Sequence, residues 1–206
     1  MNTLKLKVCG MRVPENIEGL LEVVPDFIGF IFYPKSSRYV GNMEEHLIDR
    51  IPSSIRKVGV FVNETIENVL ETVSRYNLDY VQLHGDEDLE YAMRLKEHEL
   101  RVIKVFSVSD ELPEDLHAYE GIVDYLLFDT RSKNYGGSGK QFDWNILTSK
   151  EISVPFFLSG GIGLEDVDQI KSLHLPELAA IDVNSKFEIE PGLKDLERIR
   201  ELRSKL

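Results

Sequence analysis

The chain contains a single cysteine, Cys9, among its 206 residues. One thiol excludes an internal disulfide and the paired-cysteine zinc sites of many small domains. Long apolar runs are also missing, and the opening residues, MNTLKLKVCG, alternate instead of forming a continuous apolar signal segment. The sequence therefore predicts a soluble, cytoplasmic protein with no membrane partner. A lone cysteine is most often a small buried side chain, so a function for it has to be argued from its position.

Positive charge is scarce as well. The 24 Lys and Arg residues stand against 36 Asp and Glu, which gives a formal net charge of -12. A nucleic-acid partner is not expected, because phosphate backbones need clustered cations. An anionic ligand would have to be held by backbone amides or by a few placed cations. Four of the five histidines, His46, His98, His117 and His174, share no predicted face, so no metal site is predicted.

What the chain does have is enough apolar sequence for one sizeable core. With 42% hydrophobic residues, it is expected to form a single domain over residues 1–206. Eight short apolar runs recur along it: LKLKVC, DFIGFIF, RKVGVFV, LDYVQLH, RVIKVF, VDYLLFD, VPFFLS and LAAIDVN. Most are followed by segments with helical apolar spacing, and Pro14, Asn63 or Thr65, and Pro113 are helix-start signals.

Alternating strands and helices predict a parallel sheet, because each parallel pairing needs a crossover. Eight such units predict an α/β protein built as a single (β/α)₈ TIM barrel. A doubly wound sheet is the main alternative. It is disfavoured because the first turn, CGMRVP, lacks the glycine fingerprint of a dinucleotide site.

Strand alternation separates the residues that face the helices from those that face the barrel axis. In the first run, the apolar residues pack outward, which turns Lys7 and Cys9 inward. The same reasoning places Gln82 and His84 inside on the fourth run and Asp182 inside on the eighth. Because the first and eighth strands are neighbours in a closed barrel, Lys7 and Asp182 are expected to meet. Polar groups thus gather at the carboxyl ends of the strands, where these barrels carry active sites.

Two glycine-rich turns, NYGGSGKQFDW and LSGGIGLEDV, follow the sixth and seventh runs. Glycine lets the backbone approach a ligand closely, and the start of a following helix offers free amides to an anion. Phosphosugar barrels bind phosphate after strands seven and eight. Gly160 and Gly161 occupy the first of these places and Ser185 the second, so the three are predicted to bind phosphate.

The order and spacing of several motifs resemble the phosphoribosylanthranilate isomerase family of tryptophan biosynthesis. The resemblance covers nearly the whole chain, through KVCGM, GFIFYPKSSRYV, VGVFVN, VQLHGDE, LLFDT, GGSGKQFDW, LSGGI and DVNSKFEIEPGLKD. It implies a (β/α)₈ barrel that converts N-(5'-phosphoribosyl)anthranilate to 1-(2-carboxyphenylamino)-1-deoxyribulose 5-phosphate by an Amadori rearrangement. The implied partner is this small phosphosugar–anthranilate substrate, and the chain is expected to act as a monomer or homodimer.

The resemblance also implies roles for individual residues. Cys9 matches the general base of the family and Asp129 its general acid, with no metal or organic cofactor. Arg38 matches the arginine that meets the anthranilate carboxylate. Gly161 and Ser185 match phosphate-contacting positions, which agrees with the phosphate site predicted from the glycine-rich turns.

The acid–base chemistry sets requirements on both groups. A free cysteine has a pKa of about 8.5, so a base role needs the thiolate to be favoured, and Lys7 is expected to supply stabilising charge. A free aspartate titrates near about 3.9, so an acid role for Asp129 needs surroundings that favour its neutral form. His84 and Asp182 are expected to support these groups; His84 is placed outside the catalytic pair.

The chain departs from the family pattern at three places. The least consequential is in the sixth loop, where Ser138 stands in place of a more common threonine. Ser36, Ser37 and Arg38 stand where the family usually reads Ser-Pro-Arg, which removes a rigid residue beside the arginine. After the eighth strand the chain reads DVNSK, so that Lys186 replaces a glycine near the predicted phosphate. Two other functions stay open at this point. One is an epimerase of ribulose phosphate on the same barrel; the other is a barrel that binds phosphate without catalysis, or a protein whose main role is assembly.

Overall fold

Eight parallel strands close into a barrel in the order in which they occur along the chain. The computed structural model describes residues 4–41, 43–130 and 141–206. The barrel strands are β1 (Lys5–Val8), β2 (Phe27–Ile31), β3 (Arg56–Phe61), β4 (Tyr80–Leu83), β5 (Val102–Val108), β6 (Tyr125–Thr130), β7 (Phe156–Leu158) and β8 (Leu178–Val183). Each strand coincides with one of the apolar runs, so the predicted (β/α)₈ barrel is confirmed.

Helices of uneven length cover the outside of the barrel. The α-helices within the described residues are α1 (Pro14–Leu21), α2 (Glu45–Asp49), α3 (Ile66–Tyr76), α4 (Leu89–Glu97), α5 (Val167–Ser172) and α6 (Leu196–Lys205). Pro14 is the first residue of α1, where its missing amide costs nothing. Thr65 caps α3 by accepting a hydrogen bond from the Asn68 amide.

The helical segments described on either side of β6 are shorter than the sequence suggests. After β5, the segment that follows Pro113 forms a single 3₁₀ turn, Leu116–Tyr119, where a fifth α-helix was expected. After β6, Trp144–Thr148 is again a 3₁₀ turn. Trp144 is buried there and packs in the core.

The barrel has two separate apolar layers. Outward-facing residues such as Leu6, Val8 and Ile181 pack against the helices. The lower interior is filled by a second cluster, Phe27, Val58, Tyr80, Ile103, Val105, Leu127, Phe157 and Ala180. This cluster closes the amino-terminal end of the barrel, so the polar residues that follow it along the strands lie at the carboxyl end.

A short hairpin that the sequence did not predict follows β8. After a 3₁₀ turn, Ser185–Phe187, the strands β9 (Glu188–Glu190) and β10 (Leu193–Lys194) pair antiparallel. Gly192 has a φ of 88° at the turn between them, a conformation that favours glycine. Within the described part of the chain, no helix combines the length and apolar character needed to cross a membrane.

Candidate active site

A pocket opens at the carboxyl end of the barrel. The space inside it, counted out to bulk solvent, is about 710 Å³. Most of the site residues named from the sequence line it: Cys9, Arg38, His84, Asp129, Gly160, Gly161, Asp182 and Ser185. Lys7 is buried, one step further down the barrel from Cys9 on the same strand face.

Lys7 and Asp182 form an ion pair inside the barrel. The two residues are register partners on β1 and β8, and Lys7 Nζ lies 2.8 Å from Asp182 Oδ1. The contact predicted from strand alternation is therefore confirmed. Ser159 Oγ donates to the other Asp182 oxygen at 3.3 Å. Although burial opposes the charge of Lys7, attraction to Asp182 and Cys9 outweighs it and raises the pKa of the ammonium group.

Cys9 lies at the top of β1 with 4% of its surface exposed. Room for its sulfur comes from Gly29 on β2, because a Cβ atom at Gly29 would stand 2.8 Å from Cys9 Sγ. Burial raises the pKa of the thiol, and the charge of Lys7 lowers it by less. Lys7 thus acts in the expected direction, but burial outweighs it, and the negative charge of Asp182 also raises the pKa of the thiol. The thiol form of Cys9 is favoured in the free protein.

Asp129 is the last residue but one of β6; it lines the same pocket as Cys9, and it is buried. Its Oδ1 accepts a hydrogen bond from the Thr130 amide at 2.8 Å, which leaves Oδ2 toward His84 Nε2, 3.4 Å away. His84 Nδ1 in turn lies 3.1 Å from Gln82 Nε2. These two contacts hold the imidazole between Gln82 and Asp129.

The loop after β7 and the turn after β8 present backbone amides to the pocket. Gly160 and Gly161 have φ values of 95° and 69°, which favour glycine. A Cβ atom at Gly160 would collide with Thr130, so no larger residue fits there without a shift. Within the described residues, the amides of Gly160, Gly161 and Ser185 donate no hydrogen bond to protein. The other predicted glycine-rich turn, at 136–139, lies outside the described residues.

Arg38 enters the pocket from the loop after β2. Although this loop lacks the family's proline, two contacts hold it: Ser36 Oγ accepts from the Arg38 amide at 3.1 Å, and Arg12 Nη1 donates to the Ser37 carbonyl at 2.9 Å. The guanidinium of Arg38 forms a two-pronged ion pair with Glu188. Its Nε lies 2.8 Å from Glu188 Oε1, and its Nη2 lies 2.6 Å from Oε2.

Comparison with known proteins identifies the family. The sequence model of the family described as N-(5'phosphoribosyl)anthranilate (PRA) isomerase matches residues 6–205, almost the whole chain. The chain belongs to the phosphoribosylanthranilate isomerase family. Among curated relatives of that name, the protein of Parabacteroides distasonis is 48% identical over 198 residues, which cover 95% of this chain and 90% of that protein.

Solved phosphoribosylanthranilate isomerases share the fold. The Thermotoga maritima structure is 35% identical, with a TM-score of 0.86 and coverage of 98% of each chain. A second structure holds reduced 1-(o-carboxyphenylamino)-1-deoxyribulose 5-phosphate; it is 33% identical, with a TM-score of 0.84 and the same 98% coverage of each chain. Family membership decides against the epimerase that the sequence left open. No group of three or more metal-ligating side chains occurs among residues 4–41, 43–130 and 141–206.

Two charged residues behind this pocket, Glu188 and Lys194, were not predicted from the sequence; they contact Arg38 and Asn184, which line it. Both belong to the β9–β10 hairpin, and Lys194 is fully buried despite its charge. The signal that could have found them is the stretch EIEPGLK, in which a Pro-Gly turn separates a glutamate from a lysine. A hairpin at that turn brings the two side chains onto one face.

Proposed function

We propose that the chain catalyses the Amadori rearrangement of N-(5'-phosphoribosyl)anthranilate by general acid–base catalysis, with Cys9 as base and Asp129 as acid. The chain is an aldose–ketose isomerase of tryptophan biosynthesis, as its family and its relatives are. The observation that carries the residue roles is that a thiol and a carboxyl group line the same pocket as an arginine and three amides that donate to no described residue.

The reaction needs one proton delivered and one removed. Opening the ribose ring requires a proton on the ring oxygen, and Asp129 is the carboxyl group placed to deliver it. A base must then take the proton from the second carbon of the sugar, which is the task assigned to Cys9. Ring opening leaves a cationic imine on the substrate, and that charge favours the thiolate in the complex. The raised pKa of Cys9 thus describes the free protein, before the substrate's charge is present.

Phosphate is assigned to the amides of Gly160, Gly161 and Ser185. These three donors, on two adjacent loops, have no partner among residues 4–41, 43–130 and 141–206; they match the acceptor oxygens of a phosphate group and need no net positive charge in the chain. Lys186 also lines the pocket beside Ser185, and it forms no ion pair with any described residue. The substitution of lysine for the family's glycine thus adds a cation next to the proposed phosphate position.

The carboxylate of the anthranilate ring is assigned to Arg38. Its side chain is 12% exposed and lines the pocket, while the phosphate-facing loops lie after β7 and β8. The substrate would therefore lie across the mouth with its two anionic ends held by different loops. Its reacting carbons would lie between these ends, over Cys9 and Asp129.

Three further expectations complete the proposal. The chain acts as one domain over residues 1–206, it works in the cytoplasm, and it is a monomer or a homodimer. A Thermotoga maritima relative is described as a dimeric enzyme. Sedimentation of the purified protein distinguishes the two oligomeric states of this chain.

The test of the activity uses the fluorescence of freshly formed N-(5'-phosphoribosyl)anthranilate. We expect protein at a small fraction of the substrate concentration to remove the fluorescence completely, because each molecule turns over many times. The rate should be the same with and without a chelator, since the proposed chemistry uses side chains alone. A fluorescence change that stops at one substrate per protein molecule would instead indicate a barrel that binds without catalysis.

A further inference from the structure

Glu188 contacts only one edge of the Arg38 guanidinium group. Glu188 takes the edge of the guanidinium formed by Nε and Nη2, with three contacts between 2.6 and 3.0 Å. The Nη1 nitrogen has no hydrogen-bond partner among the residues that the structure describes. Both side chains are shielded from water, with exposures of 12% for Arg38 and 5% for Glu188. The free end of the guanidinium, Nη1 with the second hydrogen of Nη2, is therefore the part available to a ligand.

Glu188 is itself fixed by contacts on its other side. Lys194 Nζ lies 2.6 Å from Glu188 Oε1, and the Gly192 amide donates to the same oxygen at 3.0 Å. Lys194 Nζ also donates to Asn184 Oδ1 at 2.6 Å. Although burial opposes the charge of Glu188, hydrogen bonds from Arg38 and Lys194 outweigh it and lower the pKa of the carboxyl group. Glu188 thus stays ionised, and both of its carboxylate oxygens accept hydrogen bonds.

The hairpin that carries Glu188 and Lys194 is tied to the barrel's outer layer. Asn16 of α1 accepts from the Lys194 amide at 2.7 Å and donates to the Lys194 carbonyl at 2.9 Å. Asn16 is 6% exposed and Lys194 is 1% exposed. The carboxylate that holds Arg38 therefore belongs to a buried, doubly anchored support, and not to a loose surface side chain.

We propose that Glu188 is a positioning residue that turns the free end of the Arg38 guanidinium toward the carboxylate of the substrate. This inference rests on the function proposed above, in which Arg38 meets the anthranilate ring. Because Glu188 occupies the edge formed by Nε and Nη2, the guanidinium of Arg38 is held in one orientation. Its free end, with Nη1, then faces the ligand. Lys194 shares the charge of Glu188, so that with all three groups ionised the cluster keeps one net positive charge for the ligand.

The expected consequence is selectivity for ligands that carry the carboxylate. A pre-oriented guanidinium pays no further ordering cost when the ligand binds, whereas a mobile one would. Loss of Glu188 should therefore weaken binding of the carboxylate-bearing ligand and leave a ligand without the carboxylate unchanged. A purely structural role for Glu188 would weaken both ligands alike or neither.

The test measures two ligands on four variants by titration calorimetry. One ligand is reduced 1-(o-carboxyphenylamino)-1-deoxyribulose 5-phosphate, and the other is the same compound without the ring carboxylate. The variants are Glu188→Gln, Arg38→Met, the double variant, and Glu190→Gln. Glu190 is the matched control, because it lies on the same short strand and is exposed. The quantity compared is the ratio of the two dissociation constants.

We expect Glu188→Gln to reduce the preference for the carboxylate about tenfold, the size that follows from losing charged hydrogen bonds. Arg38→Met should abolish the preference, the double variant should show no further loss, and Glu190→Gln should match the wild type. The Michaelis constant should rise in Glu188→Gln more than kcat falls, since the change affects binding of a remote group.

Suppose that Glu188→Gln keeps the wild-type preference for the carboxylate-bearing ligand while Arg38→Met loses it. That result would overturn the positioning role of Glu188 and leave the proposed function standing. An unchanged preference in Arg38→Met would overturn the Arg38 assignment and this inference with it, while the fluorescence assay judges the isomerase activity separately. If Glu188→Gln does not fold, Glu188→Asp takes its place. Its shorter carboxylate cannot span both cations, so an intermediate preference is expected, and an unchanged one contradicts the proposal.

Discussion

Replacing Cys9 with serine is expected to lower kcat by about 10²–10⁴-fold, the usual contribution of a general base. Serine is close to cysteine in size, and Gly29 leaves space beside it, so the pocket should keep its shape. The hydroxyl group cannot form the anion that takes a proton from carbon. The measurement is the initial rate of fluorescence decay of N-(5'-phosphoribosyl)anthranilate at saturating substrate.

The same variant should still bind. The amides of Gly160, Gly161 and Ser185 and the guanidinium of Arg38 are untouched by the change. Reduced 1-(o-carboxyphenylamino)-1-deoxyribulose 5-phosphate should therefore bind Cys9→Ser within a few-fold of the wild type. Near-native turnover in Cys9→Ser would assign the base to another residue.

Replacing Asp129 with asparagine is expected to lower kcat by about 10²–10⁴-fold with little change in the Michaelis constant. Asparagine keeps an oxygen that accepts from the Thr130 amide, now at 2.8 Å, so the end of β6 should stay in place. What is lost is the transferable proton. Steady-state kinetics at saturating substrate measure the effect.

Asp124→Asn is the matched control for Asp129→Asn. Asp124 directly precedes β6 at the opposite end of the barrel, where its carboxylate accepts from the Val102 amide. The control should keep its kcat even if its unfolding temperature falls. An unchanged kcat in Asp129→Asn would move the acid elsewhere, and His84, 3.4 Å from Asp129, is the next candidate.

Much of the barrel interior could be predicted from strand alternation. The period of two in LKLKVC and LDYVQLH places Lys7 and Gln82 inside, and ring closure then brings Lys7 to Asp182. These inferences hold because each strand is buried on both faces. The polar residues are the exceptions in otherwise apolar runs, so they mark the interior positions near the mouth.

The support behind Arg38 could not be predicted in the same way. β9 and β10 have three and two residues, too few to show a period. Their anchor joins Asn16 to Lys194, 178 positions apart, and the sequence carries no signal for so distant a pairing. Only the assembled barrel brings α1 and the β9–β10 hairpin together.

The direction of the pKa shift of Cys9 could not be predicted from the sequence either. Lys7 lies two residues away on the same strand face, which suggests a lowered pKa. The outcome depends on how far the thiol is buried and on the negative charge of Asp182. Both are properties of the folded barrel, and together they raise the pKa of the thiol.

One measurement tests the role of Cys9 most directly, because the chain has a single thiol. The ultraviolet absorbance of the thiolate, taken as the difference between wild type and Cys9→Ser, titrates this group alone. Burial raises the pKa of Cys9, so the thiolate should form above the pH at which an ordinary cysteine ionises, about 8.5. The value of kcat/KM, which reports the free enzyme, should rise with pH along the same curve. A kcat/KM that stays constant while the thiolate forms would contradict Cys9 as the base.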